Sequence, residues 1–177
     1  YKAEVARQAV RKGASIINDV WGAKKDPDMP KVMGELGVPV ILMHNRETPI
    51  YHHLLEDIKQ DLLESVRLVK EAGLTDDQII LDPGIGFAKN LEENLEVMRH
   101  LDQLASLGYP LLLGTSRKSM IGLTLNLPVH DRLEGTLATV GWGIMKGCKM
   151  VRVHDVKETV KYVRMMDALL YGRKPGG

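Results

Sequence analysis

The sequence contains five short apolar runs, each of which ends abruptly in polar residues and follows a helical pattern that stops at a glycine. Continuous runs of valine, isoleucine and leucine are typical of parallel strands buried on both faces, because both sides of the pleat then need apolar side chains. The glycines suit helix ends that require a left-handed backbone conformation. The pattern therefore predicts repeated strand–helix units in a parallel sheet. The runs cover residues 16–17, 40–43, 79–81, 111–113 and 150–153, and the preceding glycines are Gly13, Gly37, Gly73, Gly108 and Gly147.

The polar residues that follow these runs predict where a functional site lies. In parallel α/β proteins, ligands bind at the carboxyl ends of the strands. All five polar clusters fall at that end of their predicted strand, so we expect them to share one face of the molecule. The clusters cover residues 18–19, 44–46, 82, 114–118 and 152–155.

The length of 177 residues fits a single domain with a sizeable core. Two α/β architectures accommodate five parallel strands. One is an open, doubly wound sheet; the other is the last five units of a (β/α)8 TIM barrel, which typically needs about 250 residues when complete. No Gly-x-Gly-x-x-Gly motif follows the first run, so we prefer the barrel, with its first three strands absent from this chain. We expect one incomplete barrel domain over residues 1–171 and a flexible tail over residues 172–177.

Apolar periodicity and capping residues predict the helices between the strands. Asn90 with Glu93, and Asp155 with Glu158, resemble capping pairs at helix starts. The predicted helices cover residues 3–12, 28–36, 51–72, 90–107, 117–125, 130–146 and 155–171.

The two C-terminal helices carry more apolar residues than one barrel-facing stripe requires. Trp142 and Met145 lie beside the main stripe of the first helix, and Met165 and Leu169 beside that of the second. A wide apolar face usually marks an interface, so we predict a homodimer through these helices. The alternative is that the extra residues pack between neighbouring helices.

The composition argues against several classes of protein. A net charge of +1, with no basic run interleaved with aromatic residues, argues against a dedicated nucleic-acid surface. No apolar stretch approaches the roughly 20 residues of a membrane helix, and we expect no signal segment. The single cysteine, Cys148, cannot form an internal disulfide, which favours a reducing, cytoplasmic setting. No spacing of His, Cys, Asp and Glu is typical of a structural zinc site.

Five segments together closely resemble the dihydropteroate synthase family, in the family's order and spacing. They cover residues 16–20, 42–44, 81–87, 114–119 and 151–155. The resemblance implies a TIM barrel of folate biosynthesis, a transferase that joins para-aminobenzoate to 6-hydroxymethyl-7,8-dihydropterin pyrophosphate and releases pyrophosphate. It also implies that sulfonamides compete with the aminobenzoate and that Mg2+ accompanies the diphosphate.

The resemblance implies a pterin-binding role for residues at the first three strand ends. Asp82 would accept two adjacent N–H donors of the pterin edge in a bidentate arrangement, although it could instead cap a helix. Asn18 would bind the same heterocycle, although asparagine also forms local turns. Val20, Met43 and Phe87 would line the ring, and Phe87 would also face the aminobenzoate.

The last two strand ends would supply the second substrate site and the leaving-group site. Lys118, within the cluster that begins at Gly114, would donate to the pterin carbonyl oxygen and a ring nitrogen. Ser119, near a predicted helix start, would bind the aminobenzoate carboxylate. Arg152 and His154 share parity along the last predicted strand, so both would face the diphosphate and stabilise its developing charge. The alternative for Lys118 is a solvated basic turn. His44 and Asn45 line the same rim in this interpretation.

Several parts of the family pattern do not occur in this sequence. They are a magnesium-binding asparagine, two mobile loops, and an aspartate that precedes a Thr-Tyr-Lys stretch; this chain begins with Tyr1-Lys2. We therefore expect that the 177-residue chain alone binds a pterin without catalysing the reaction. Two alternatives stay open: a methyltetrahydrofolate-dependent corrinoid methyltransferase, and a non-catalytic pterin-binding module.

Overall fold

A computed structural model describes residues 1–172, which form an α/β fold with five short strands and eight α-helices in that range. The strands are β1 (Ile17–Asp19), β2 (Val40–Met43), β3 (Ile79–Asp82), β4 (Leu112–Leu113) and β5 (Met150–Val151). The helices are α1 (Ala3–Arg11), α2 (Met29–Leu36), α3 (Leu54–Glu71), α4 (Leu91–Arg99), α5 (Leu101–Ala105), α6 (Ser119–Leu125), α7 (Leu133–Met145) and α8 (Val156–Tyr171). The predicted tail is described only at Gly172; its residues 173–177 lie outside the described part.

The strands are parallel and follow one another in chain order, as predicted. β1, β2 and β3 form one sheet, and β4 pairs with β5. A parallel bridge between Leu81 and Leu111 connects β3 to the start of β4. Their carboxyl ends therefore lie along one edge, where the predicted polar clusters follow.

Both faces of the central strands are buried, which explains why their sequences are continuously apolar. Val40 and Leu42 on one face of β2 join the large core beneath the helices. Ile41 points to the opposite face, where it forms a separate small cluster with Ile80 and Leu112.

The helix-ending glycines were predicted correctly. Each of the five has a positive φ, and Gly37 ends α2 in the left-handed region with its N–H bonded to the Met33 carbonyl. The capping pair at Asn90 is also confirmed, because the Asn90 side chain accepts from the Glu93 N–H at 3.0 Å and the Glu93 carboxylate accepts from the Asn90 N–H at 2.7 Å.

Three local predictions were wrong. The helix predicted over 90–107 is two helices that meet at His100, and the second of them buries Leu101 and Leu104 fully in the core. Asp155 makes no capping bond to α8, because its carboxylate accepts from the Arg117 guanidinium instead. The last strand ends at Val151 rather than at residue 153, so strand parity does not set the directions of the two side chains predicted to bind diphosphate.

Candidate functional site

The carboxyl ends of β1, β3 and β5 meet at the side chain of Arg152. Its Nη1 donates to Asn18 Oδ1 at 2.9 Å, and its Nη2 donates to Asp82 Oδ2 at 3.0 Å. The Asp82 carboxylate is 1% exposed, whereas the Arg152 side chain above it is 44% exposed. The structure therefore joins the two predicted pterin-binding residues through a charged group that also faces solvent.

Two glycines make room for this arrangement. A Cβ atom at Gly114 would lie 2.6 Å from Arg152 Nη2, so glycine after β4 leaves space for the guanidinium to cross. Gly84 follows Asp82 in a turn with φ +67°, and its N–H donates to the second carboxylate oxygen, Asp82 Oδ1, at 2.8 Å. Each carboxylate oxygen of Asp82 therefore accepts a hydrogen bond from within the chain.

Lys118 lies on the other side of the turn that follows Asp82. Its Nζ donates to the Ile85 carbonyl oxygen and lies 4.6 Å from the centroid of the Phe87 ring. Burial lowers the pKa of the Lys118 ammonium, while the nearby Asp82 carboxylate opposes that shift. Lys118 therefore lies against Phe87 and close enough to Asp82 for their charges to interact.

The remaining predicted residues differ in how closely they approach this cluster. Met43 is buried beside Asp82 in the register of β2 and β3, and Val20 follows β1 with partial exposure. Ser119 is exposed at the first turn of α6. His154 lies beyond β5, where its Nδ1 is 2.9 Å from Ser116 Oγ.

A largely buried network below the site contains His44, which was predicted to line the rim but is buried instead, and two residues that the sequence prediction missed, Asp61 and Lys89. His44, which is 1% exposed, contacts Asp61 Oδ2 through Nε2 at 3.0 Å and Lys89 Nζ through Nδ1 at 2.9 Å. Asp61 also accepts from Arg46 Nε at 2.6 Å. Lys89 lies in the predicted loop after β3, but Asp61 is within α3, where no local pattern distinguishes it from a surface carboxylate.

This network predicts a loss of stability in acid. Burial lowers the pKa of His44 from 6.5 to about 4, so between these values the unfolded chain binds a proton that the folded chain excludes. The free energy of unfolding should therefore fall by about 2–3 kcal/mol between pH 7 and 4.5 through His44 alone. Burial would raise the pKa of Asp61, but hydrogen bonds from His44 and Arg46 outweigh it and lower that pKa, which adds to the loss at still lower pH.

Denaturant unfolding of the full-length polypeptide that carries this sequence, followed at both pH values, measures this loss. His44→Gln should remove most of the pH dependence, whereas His130→Gln, at an exposed position, should leave it unchanged. Equal pH dependence in all three proteins would contradict the assignment to His44.

The described residues offer neither a metal cluster nor a membrane span. Within residues 1–172, no group of three or more His, Cys, Asp and Glu side chains is arranged to hold a metal ion. No helix in this range combines the length and apolar character needed to cross a bilayer.

Comparison with known proteins decides the family. The sequence model of a family described as pterin binding enzyme matches residues 1–154. The chain belongs to the pterin-binding enzyme family. The match covers all five strands and every residue of the predicted site, so the resemblance inferred from the sequence is confirmed.

Individual pterin-binding enzymes resemble the chain over nearly its whole length. Dihydropteroate synthases of Clostridium beijerinckii and Bacillus subtilis are each 57% identical over 96% of this chain. A crystal structure of the Clostridium difficile dihydropteroate synthase in the presence of pteroic acid superposes with a TM-score of 0.94 at 45% identity, over 98% of this chain and 66% of that one. A Yersinia pestis enzyme with a pterin–sulfa conjugate gives 0.89 at 37% identity, over 94% of this chain and 65% of that one.

The chain is shorter than these relatives. It spans 64% of the length of the Clostridium beijerinckii protein and 60% of that of the Bacillus subtilis protein.

Proposed function

We propose that this chain forms the pterin-binding part of a dihydropteroate synthase. The observation that carries the proposal is the pairing of Arg152 with Asn18 and Asp82. A guanidinium presents adjacent N–H donors in one plane, and the aminopyrimidinone edge of a pterin contains the same guanidine-like group of donors. The acceptors of Asn18 and Asp82 that bind the guanidinium can therefore also bind the donor edge of a pterin.

The proposal gives Arg152 a second position. When a pterin takes the acceptors of Asn18 and Asp82, the guanidinium is released at the rim of the site, with its charge free for the diphosphate. His154 lies on the same side of the molecule, in the loop after β5. In this proposal Arg152 pairs with the Asp82 carboxylate until the pterin displaces it, and then pairs with the leaving group.

The remaining site residues bind and orient the two substrates, and none of them acts as a strong base. Lys118 donates to the pterin oxygen and ring nitrogen, Val20, Met43 and Phe87 line the ring, and Ser119 in the Gly114–Ser119 segment receives the aminobenzoate carboxylate. The amine of para-aminobenzoate attacks the exocyclic methylene carbon, the C–N bond forms as the C–O bond to pyrophosphate breaks, and the amine proton passes to solvent. An aniline nitrogen is unprotonated at neutral pH, so binding in the correct orientation provides most of the catalysis.

We also propose that the five strands are consecutive units of a (β/α)8 barrel. The strands are parallel in chain order, and Ile41, Ile80 and Leu112 form an inner cluster of the kind that fills a barrel. Arg152, after the last strand, reaches Asn18 on the first, so the strand ends curve toward one another. Three further strands from outside this chain would close the barrel.

The exposed face of α8 supports an incomplete barrel. Val156 and Val160 lie one turn apart on α8, where a barrel helix would pack against the strands, and they are 59% and 42% exposed. Further strand–helix units beside β5 would cover them.

Magnesium belongs to the diphosphate in this proposal. The described residues do not offer a carboxylate or histidine cluster for it. We therefore assign no step of the reaction to a metal ion held by residues 1–172. A cytoplasmic location stays our prediction, because a single cysteine cannot form an internal disulfide.

A binding experiment separates this proposal from its two alternatives. The full-length polypeptide that carries this sequence should bind 6-hydroxymethyl-7,8-dihydropterin pyrophosphate in a calorimetric titration, and a sulfonamide should compete with para-aminobenzoate for binding. Preference for 5-methyltetrahydrofolate would favour the corrinoid methyltransferase. That enzyme does not need the Ser116-Arg117-Lys118-Ser119 cluster or the diphosphate-binding Arg152. Pterin binding without turnover would indicate the non-catalytic module.

The proposed homodimer leads to a separate prediction. The helices α7 and α8 pack against each other, with Tyr162 in contact with Gly141. Met145 on α7 and Met165 on α8 are nevertheless 64% and 58% exposed. Met145→Glu together with Met165→Glu should convert a dimer into a monomer in sedimentation experiments while pterin binding is retained, because buried carboxylates are costly at an interface. We avoid Trp142, since its indole N–H donates to the Met98 carbonyl at 2.7 Å within the chain.

Leu63→Glu on α3 is the matched control, because Leu63 is also exposed but lies on another helix. A dimer that persists in the double variant would place the interface elsewhere.

A further inference from the structure

The ammonium of Lys89 donates to three acceptors beneath the candidate pterin site. Its Nζ lies 2.9 Å from His44 Nδ1, 3.2 Å from the Gly84 carbonyl oxygen and 3.1 Å from the Phe87 carbonyl oxygen. Three N–H donors therefore meet three acceptors, so this partly buried cation is fully hydrogen-bonded. Two of the acceptors are the ends of the turn that follows Asp82.

The protonation of His44 fits this arrangement. Its Nε2 faces the Asp61 carboxylate, which also accepts from Arg46, so the hydrogen-bond network assigns the ring proton to Nε2. Nδ1 is then left as an acceptor for Lys89. The contacts run without interruption from α3 through the end of β2 to the loop after β3.

Several side chains hold the loop after β3, but only Lys89 among them binds both ends of the turn over residues 84–87. The buried Asn94 side chain accepts from the Gly86 N–H at 2.7 Å, and Tyr51 donates to the Ala88 carbonyl at 2.7 Å. These contacts restrain the loop from α4 and from the loop before α3. Lys89 instead bonds to the carbonyl oxygens of both Gly84 and Phe87. It thereby connects the glycine whose N–H binds the Asp82 carboxylate to the residue whose ring lies against Lys118.

We propose that Lys89 is a positioning residue for the pterin. It holds the turn over residues 83–87 in the conformation that places the Asp82 carboxylate and the Phe87 ring where they can contact the heterocycle. This inference rests on the proposed function, since it names a supporting residue of the same site. Lys89 does not touch the ligand in this account. It acts through the backbone that presents Asp82 and Phe87.

The charge of Lys89 makes this role dependent on pH. Burial lowers the pKa of the Lys89 ammonium to about 7, with Asp82 opposing the shift and Lys118 adding to it. The charged and titratable groups that face it are His44 after β2, Asp82 on β3, Asp61 on α3, Glu93 on α4 and Lys118 before α6. Above that pH the amine has only two protons for three acceptors. The proposal requires the protonated Lys89 with its three N–H donors, so pterin affinity should fall as the pH rises from 6.5 to 9.

The test compares pterin affinity across this pH range in the full-length wild-type polypeptide, Lys89→Met and Lys31→Met. Lys31 is an exposed surface lysine, so its variant controls for loss of one positive charge. We expect Lys89→Met to bind about 10-fold more weakly at pH 6.5 and to lose the decline that wild type and Lys31→Met show toward pH 9. The titration of the pterin itself is common to all three proteins and cancels in the comparison.

Amide hydrogen exchange over residues 84–88 in the ligand-free proteins supplies a second measurement. Faster exchange in Lys89→Met alone supports a positioning role. Unchanged affinity, pH profile and exchange in Lys89→Met would overturn the proposal. If Lys89→Met does not fold, a wild-type affinity that is flat from pH 6.5 to 9 overturns it. Wild-type protein that binds no pterin at any pH would instead overturn the proposed function, and the exchange data would still report whether Lys89 orders the loop.

Discussion

Gly84→Ala is expected to lower the free energy of unfolding by about 3–5 kcal/mol, because it combines a strained backbone with a steric overlap. The residue has φ +67°, and an ideal Cβ would lie 2.0 Å from the His44 carbonyl oxygen. That oxygen belongs to the backbone directly after β2, so it cannot move like the end of a flexible side chain. Any Gly84→Ala protein that does fold should bind a pterin poorly, because the same turn orients Asp82.

Gly37→Ala is a matched control for the backbone component. Gly37 has φ +62°, and no atom lies within 4 Å of an ideal Cβ there. Its substitution should cost only about 1 kcal/mol, the strain of a left-handed alanine. Denaturant unfolding of both variants measures the difference. Equal costs at the two positions would show that the close approach of Gly84 to β2 has no energetic importance.

Asp82→Asn is expected to weaken pterin binding by about 2–4 kcal/mol, or roughly 30- to 1,000-fold. The substitution replaces one carboxylate oxygen by an NH2 group. Oδ1 accepts from the Gly84 N–H and Oδ2 from Arg152, so either orientation of the amide places a donor against a donor. The pterin then loses one acceptor and the negative charge that favours its N–H edge.

Asp102→Asn is the control for this prediction, because Asp102 is an exposed carboxylate paired with Lys146 on the helical surface. Calorimetric titration with the pterin pyrophosphate at constant pH measures both variants beside wild type, and unfolding experiments check that each is folded. Wild-type affinity in Asp82→Asn would remove Asp82 from the site.

The strands, the helix-ending glycines and the Asn90 cap could be predicted because their causes are local. A strand buried on both faces must be apolar at every position, and a left-handed helix end favours glycine, so both leave a signal within a few residues. The position of Asp82 at the end of β3 follows from the same reasoning. Once the strands are parallel, their polar ends must share an edge.

The parts that could not be predicted depend on contacts between distant segments. Asp155 matches a helix cap in sequence, but Arg117, 38 residues earlier, takes its carboxylate. Asp61 looks like one more charged residue on α3, and only folding places it against His44. The contact of Arg152 with Asn18 spans 134 residues, and no spacing rule foresees that the arginine predicted for the diphosphate pairs with the two predicted pterin acceptors.

Pyrophosphate release shows whether this chain carries the pterin site of a dihydropteroate synthase. The full-length polypeptide that carries this sequence is mixed with 6-hydroxymethyl-7,8-dihydropterin pyrophosphate, with and without para-aminobenzoate, and pyrophosphate is measured over time. We predict release that requires para-aminobenzoate, is inhibited by a sulfonamide and is strongly reduced in Asp82→Asn at low pterin concentration. Release that is independent of para-aminobenzoate, or unaffected by Asp82→Asn, would show that the chain does not carry this site.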